Sequence, residues 1–171
     1  KSKIFIIESI GFKNERIRET LAEKLNFSNI RHPVSIAVEV KGKGFVFPSS
    51  TGKDDFIFEN DGQISNKQIR AITLSSLSPR PGQHLWDIGS GSGSISIEWL
   101  LINNLNYATA IEIKKSRALH IKNTAYKLGL EKLNVIEADA IKVINKLQKP
   151  DAVFIGGGFT EELFNCIWNI I

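Results

Sequence analysis

The sequence predicts an α/β protein whose main part is an open parallel sheet with helices on both faces. Three observations predict it. From His84 onward, short apolar strands alternate with helical segments, and such alternation requires right-handed crossovers between parallel strands. A glycine-rich turn, Gly89-Ser90-Gly91-Ser92-Gly93, lies between the first of these strands and its helix. Carboxylates mark the ends of three successive strands, at Asp87, Glu112 and Asp139.

Taken in order, residues 4–7 (Ile-Phe-Ile-Ile) form a short apolar run, and Asn14 is placed to cap a helix in which Ile17, Leu21 and Leu25 recur every four residues. Val34, Ile36, Val38 and Val40 then alternate with Ser35, Ala37 and Glu39, the period-2 pattern of a half-exposed strand. A stretch from 41 to 55 rich in Gly, Pro, Ser and Lys, including Gly42, Gly44, Pro48 and Gly52, has the chemistry of a linker and marks a boundary. Beyond it, Ser65 and Gln68 form a capping box for a helix with Ile69, Ile72 and Leu77 on its apolar side, and Ser78-Pro79-Arg80-Pro81-Gly82 stops that helix. The regular part follows: strand 84–88, helix 94–102, strand 107–113, helix 115–128 closed by Gly129, and strand 134–137. Helix 140–147, strand 152–155, the Gly156-Gly157-Gly158 turn and a helix from about Thr160 complete it. The chain ends on that helix at Ile171, where a doubly wound sheet normally continues, so the C-terminal part of the sheet is expected to be missing.

The 171 residues are 42% hydrophobic, which excludes a disordered or collagen-like chain. No apolar run approaches the roughly 18–20 residues that span a bilayer, and the N-terminal run lacks a signal-peptide cleavage site; a cytoplasmic chain with no membrane partner is expected. A single cysteine, Cys166, makes no internal disulfide, and His32, His84 and His120 are too scattered for a metal site. The net charge of +4 is spread along the chain and permits an anionic partner without specifying one. A chain that opens Lys1-Ser2 and contains no methionine reads as a fragment of a longer polypeptide.

The glycine turn carries the most information. Ligands of such sheets sit beyond the carboxyl ends of the strands, and glycines let the backbone turn sharply and approach them. A dinucleotide site would have a third glycine at position 94, but Ser94 stands there, and the spacing is instead D-x-G-x-G-x-G. An acid entering the loop suits an ammonium or sulfonium group better than a phosphate, which points to S-adenosylmethionine. In that reading Asp87 faces the amino-acid end, Glu112 accepts from the ribose hydroxyls, and Asp139 accepts from the adenine amine with the Ala140 amide beside it. Trp86 and Trp99 read as core aromatics, and His84 sits at the end of its strand away from the ligand crevice.

Two segments, Asp61-Gly62-Gln63-Ile64-Ser65-Asn66-Lys67-Gln68-Ile69-Arg70-Ala71 and Leu85-Trp86-Asp87-Ile88-Gly89-Ser90-Gly91-Ser92-Gly93-Ser94-Ile95, together with Pro150-Asp151-Ala152-Val153-Phe154-Ile155-Gly156-Gly157-Gly158, resemble the decarboxylating precorrin C15-methyltransferases of vitamin B12 synthesis. The resemblance runs from about Phe56 to Gly158. It implies a class I S-adenosylmethionine methyltransferase, Rossmann-like, acting on a precorrin tetrapyrrole in an oligomeric enzyme. Carried onto this chain it implies cofactor contacts from Ser65, from the loop Gly89, Ser90, Gly91, Ser92 and Gly93, and from Glu112 and Ala140. The family usually carries Thr then Lys where this chain has Ser65-Asn66; the hydroxyl is kept and the cation is not. Residues 1–47 resemble the tail of the C5-methyltransferase domain that precedes the C15 domain in fused enzymes, leaving 48–55 as linker and 56–171 as the C15 domain. Arg70, Lys67 and Arg80 are candidate anchors for a polycarboxylate substrate. The competing readings are an RNA methyltransferase on the same scaffold and a non-catalytic cofactor-binding module. The chain has no run of Lys/Arg interleaved with aromatics to form an RNA platform, so no nucleic-acid partner is expected.

Overall fold

A computed structural model describes residues 1–42 and 46–171. The chain packs as two units, Lys1–Val46 and Phe47–Ile171.

The first unit is a three-stranded antiparallel sheet of β1 (Lys3–Glu8), β2 (Arg16–Leu21) and β3 (Val34–Glu39), in the order β2-β1-β3. The helix expected after Asn14 is absent, and β2 stands in its place. The reason is a buried acid. Glu8 at the end of β1 is fully enclosed, and only an extended β2 brings both Arg16 and Arg18, two residues apart on one face, onto its carboxylate. The Nε atoms of Arg16 and Arg18 donate to it at 2.8 and 2.9 Å, and the Arg31 amide adds a third contact at 2.8 Å. These bonds, Arg16 foremost, hold the Glu8 carboxyl well below the usual carboxylate range. The four-residue spacing of Ile17, Leu21 and Leu25 is overridden: Ile17 is exposed on the opposite face of the strand.

The second unit is built on a parallel sheet of β4 (His84–Ile88), β5 (Tyr107–Glu112), β6 (Leu133–Glu137) and β7 (Ala152–Ile155), ordered β6-β5-β4-β7. Its helices are α1 (Lys67–Leu77), α2 (Ser94–Ile102), α3 (Lys115–Leu128), α4 (Ala140–Val143) and α5 (Glu161–Trp168). The chain steps outward from β4 to β5 and β6 and then returns to the other side of β4, so the topological switch opens a crevice at the carboxyl end of β4. Alternation along β4 divides the core between two faces. Leu85 packs with Leu74, Ile95, Trp99 and Leu100 from α1 and α2; Trp86 and Ile88 pack with Ile144, Leu163 and Ile167 on the other side. Trp86 and Trp99 are fully buried, as core aromatics. No described helix is long and apolar enough to cross a membrane.

Four local expectations change. The cap of α1 is Asn66, whose Oδ1 accepts from the Ile69 amide at 3.1 Å; it stands three residues before that N–H, the spacing an N-cap needs, and so leaves the Ser65 side chain out of the cap. The buried side of α1 is Arg70 and Leu74, while Ile69 and Ile72 are exposed. Helix α4 has one turn and continues only as a 3-10 turn, Ile144–Lys146. The stretch 48–55 read as linker is partly packed into the second unit: Gly52 and Lys53 are buried, and their amides donate to Glu98 on α2 at 2.6 and 3.0 Å. Gly44, also read as linker, lies outside the described residues.

Candidate functional site

The loop after β4 is held from both neighbouring strands. The amides of Gly89 and Ser90 donate to the Ile111 carbonyl of β5 at 2.9 and 3.2 Å, and Gly156, just past β7, donates to the Ile88 carbonyl at 2.8 Å. Gly89, Gly91 and Gly93 all have positive φ, at 64°, 59° and 69°, the left-handed region that a side chain resists. At Gly89 the need is also steric: a Cβ would lie 2.4 Å from the Gly157 carbonyl oxygen. Gly93 caps α2, and a Cβ there would meet Ile121 of α3 at 2.7 Å. The loop is therefore pressed between the β7 turn and α3, which only a bare backbone allows.

Two clefts open around this loop. One, about 370 Å³, is bordered by Gly89, Glu112, Lys114, Asp139, Ala140 and Gly157. The other, about 390 Å³, is bordered by Gln63, Ser65, Ser90, Gly91, Ser92 and Phe154. Gly89, Gly157 and Arg117 line both, which makes them one trough across the carboxyl ends of β4 and β5, of a size that takes a small-molecule ligand. Glu112 is buried at its edge: Oε2 accepts from the Gly91 amide at 2.8 Å and Oε1 from the Lys114 amide at 2.9 Å. Each carboxylate oxygen keeps a further lone pair. Asp139 caps α4 through Ile141 at 3.2 Å and borders the same cleft.

Of the residues singled out in the sequence, the structure brings Ser65, Gly89, Ser90, Gly91, Ser92, Glu112, Asp139 and Ala140 to the trough. Gly93 and Asp87 lie behind it. Asp87 is 1% exposed, its Oδ2 accepting from the Ser96 hydroxyl and amide at 2.7 and 3.1 Å, so it braces the start of α2 in place of facing a ligand. The substrate-anchor reading also fails for Arg70, which is completely buried and bonded to Glu98 and Asp55. Lys67 is paired with Asp54, and Arg80 precedes β4 at the end away from the trough. His84, at that same end, bonds Thr109 Oγ1 at 2.9 Å.

Burial raises the Asp87 carboxyl from 3.8 to about 6, against the lowering effect of the Ser96 bonds and with a smaller push from Glu112. The native state thus holds this proton more tightly than the unfolded chain. Its stabilising contribution is complete below about pH 3.8 and is lost as pH rises through about 6. A two-unit rise corresponds to about 3 kcal/mol at most. Asp87→Asn is expected to remove this dependence, so that the difference in urea midpoint between the variant and the parent chain changes between pH 4 and 6.5 and is level above pH 7. A difference that does not vary with pH refutes the assignment.

Sequence reasoning missed Arg117, which reaches both clefts from the first turn of α3. A signal was present. Lys115 and Arg117 occupy the helix N-terminus, where the macrodipole disfavours cations, and no acid accompanies them.

The crossover topology, the glycine loop at the switch point and the acid closing the second strand define a class I S-adenosylmethionine-dependent methyltransferase fold. Residues 56–171 match the precorrin methyltransferase domain family, and the chain belongs to it. It is 40% identical over 165 residues to a precorrin-6Y C(5,15)-methyltransferase (decarboxylating) of Sinorhizobium, covering 95% of this chain and 40% of that protein. It is 34% identical over 128 residues to a probable cobalt-precorrin-6B C(15)-methyltransferase (decarboxylating) of Saccharolobus solfataricus, covering 70% of this chain and 64% of the relative. Among solved structures, the C-terminal domain of the precorrin-6Y C5,15-methyltransferase of Rhodobacter capsulatus superposes with a TM-score of 0.69 at 37% identity, covering 71% of this chain and 66% of that one. The chain thus spans less than half the length of the Sinorhizobium relative.

Proposed function

We propose that the second unit transfers a methyl group from S-adenosylmethionine to C15 of a precorrin tetrapyrrole and that this is coupled to loss of CO2 from the ring-C acetate, in cobalamin biosynthesis. Residues 1–47 are, in the same proposal, the tail of a C5-methyltransferase domain, with 48–55 joining it to 56–171. The observation that carries the reading is the buried Glu112 carboxylate fixed at the rim of a glycine-walled trough.

The trough's chemistry fits the cofactor. Glu112 and Asp139 offer acceptors for ribose hydroxyls and an adenine amine, Ala140 lies beside Asp139, and residues 89–92 of the glycine loop with Ser65 line the remaining wall. Asp87 and Glu112 make the ground beneath the loop acidic, which favours a cationic ligand. When bound, the cofactor supplies an activated methyl group. The protein's part is to hold the acceptor carbon in line and keep water out, so a strong general base is not required of these residues. A bridging carbon of a reduced tetrapyrrole is made electron-rich by its pyrrole nitrogens, and decarboxylation of the neighbouring acetate needs the conjugated macrocycle as electron sink. The carboxylates of such a substrate suit a chain with net charge +4.

The test is incubation of the full-length polypeptide with methyl-labelled S-adenosylmethionine and either a precorrin or tRNA. Label and CO2 release with the precorrin are expected; label in tRNA, or binding without transfer to either acceptor, overturns the reading. In the same protein Glu112→Ala is expected to weaken cofactor binding roughly ten- to hundredfold, since charge-assisted hydrogen bonds contribute about 1.5–3 kcal/mol. Unchanged affinity in calorimetry removes Glu112 from the ribose site.

A further inference from the structure

The segment between Phe58, which is buried, and the start of α1 forms the outer wall of the second cleft through Gln63, Ile64 and Ser65. Among the described residues, no backbone-to-backbone hydrogen bond involves residues 59–65. The strap is held to the body by side chains alone. At one end the Glu59 amide donates to Thr124 Oγ1 at 3.0 Å and its carboxylate accepts from Asn123 at 3.2 Å. At the other end the buried Arg70 guanidinium donates to the Ser65 carbonyl. The middle is held from α3: Arg117 Nε donates to Asp61 Oδ2 at 2.8 Å and Nη2 donates to Gln63 Oε1 at 2.6 Å.

These three attachments differ in kind. Arg70 is sealed in the core, and Glu59 lies away from the trough, whereas Arg117 lines both clefts at their junction. Its helix is rigidly seated, with Ala118 and Ile121 buried beneath it. Its side chain is mostly covered while that of Asp61 is more than one-third exposed, so the fixed partner is the arginine and the movable one the strap. Placing a cation in the first turn of α3 opposes the helix dipole, and the pairing with Asp61 and Gln63 gives that placement a purpose.

We propose that Arg117 is a positioning residue that clasps Asp61 and Gln63 and so holds the strap 59–65 over the trough, controlling escape of the bound S-adenosyl cofactor. Arg117 acts through the strap, bringing Ser65 to its place opposite the glycine loop. This rests on the cofactor reading given under Proposed function, and its test separates the two.

Arg117→Ala, Asp61→Asn and the double variant are made in the full chain, with Arg117→Lys as the conservative control. Amide exchange across 59–65 is measured without ligand, and S-adenosylmethionine affinity and dissociation rate are measured by calorimetry and stopped flow. Each single variant is expected to speed exchange in the strap and raise the dissociation rate at least tenfold, with the unfolding midpoint held. The double variant is expected to match Arg117→Ala, because that change already removes the bond to Asp61 along with the one to Gln63. Arg117→Lys, which keeps the charge but not the fork, should recover part of the effect. If Arg117→Ala weakens binding while Asp61→Asn does not, Arg117 touches the ligand directly and the clasp is refuted. Unchanged strap exchange in both singles refutes it too, whatever the ligand. Failure of the parent chain to bind S-adenosylmethionine, with strap exchange responding as expected, sinks the cofactor reading and with it the control of escape, leaving only a structural clasp.

Discussion

Gly89→Ala is expected to abolish measurable S-adenosylmethionine binding and to lower stability by more than about 3 kcal/mol. Two costs combine. The residue sits at φ 64°, where an L side chain is disfavoured by roughly 1–2 kcal/mol. The added methyl would also stand 2.4 Å from the Gly157 oxygen and 2.9 Å from its carbonyl carbon and amide nitrogen, all of them backbone atoms that cannot rotate away. Neither side has room to retreat, because Gly89 is bonded to Ile111 on β5 and Gly156 to Ile88 on β4. Relief requires pulling the loop off the sheet or the β7 turn away from it, and either movement opens the floor shared by the two clefts. Gly129→Ala supplies the control. It has φ 68° at the C-cap of α3 and nothing within 4 Å of the new methyl, so it carries the strain without the collision. Calorimetry and urea unfolding of the two variants should show a large loss of binding only at Gly89. Equal effects at the two positions would mean that backbone strain alone, and not the close approach of the β7 turn, explains the glycine.

The parallel half of this fold is legible because local signals agree there. The Trp86-Asp87-Ile88-Gly89 passage from strand to turn, the Gly129 stop and the Thr160 cap, whose hydroxyl accepts from Leu163, are short-range features that packing leaves in place. In the antiparallel unit the alternation from Val34 predicts β3, but β2 is not legible in the same way. Ile17, Leu21 and Leu25 carry a helical spacing, and what defeats it is a carboxylate eight residues upstream of Arg16 that needs two arginines on one face. Such a requirement appears only once the strands are paired. The trough shows the same division. Glycines and acids at strand ends are visible as spacing, but whether an acid faces the ligand or the helix behind it depends on a single partner residue: Ser96 draws Asp87 inward through its hydroxyl and amide, and nothing draws Glu112 away from the rim. In the sequence Arg70 is a candidate substrate anchor only as a cation suited to a polycarboxylate; its burial depends on Glu98, 28 positions away on a different helix.

That buried pair carries the second large expectation, that Glu98→Ala destabilises the second unit by roughly 3–5 kcal/mol. Glu98 is 1% exposed and accepts three donors: the Gly52 amide, the Lys53 amide and Arg70 Nε. Truncating it leaves two backbone amides without acceptors and a fully enclosed guanidinium whose remaining carboxylate, Asp55, is half exposed to solvent. Most of that cost is the uncompensated charge, so removing the charge as well should return part of it. The double variant Glu98→Ala/Arg70→Met is therefore expected to be more stable in urea than Glu98→Ala alone, and far from the sum of the single changes. Simple additivity would show that the two side chains act independently and that the pair is not the organising contact. A functional consequence separates this network from ordinary packing. Arg70 also holds the Ser65 carbonyl at the edge of the trough, so the double variant, though partly restored in stability, loses the attachment that sets Ser65 opposite the glycine loop. Its cofactor affinity should stay low at temperatures where circular dichroism shows it fully folded, whereas recovery of affinity together with stability would confine Arg70 to the core.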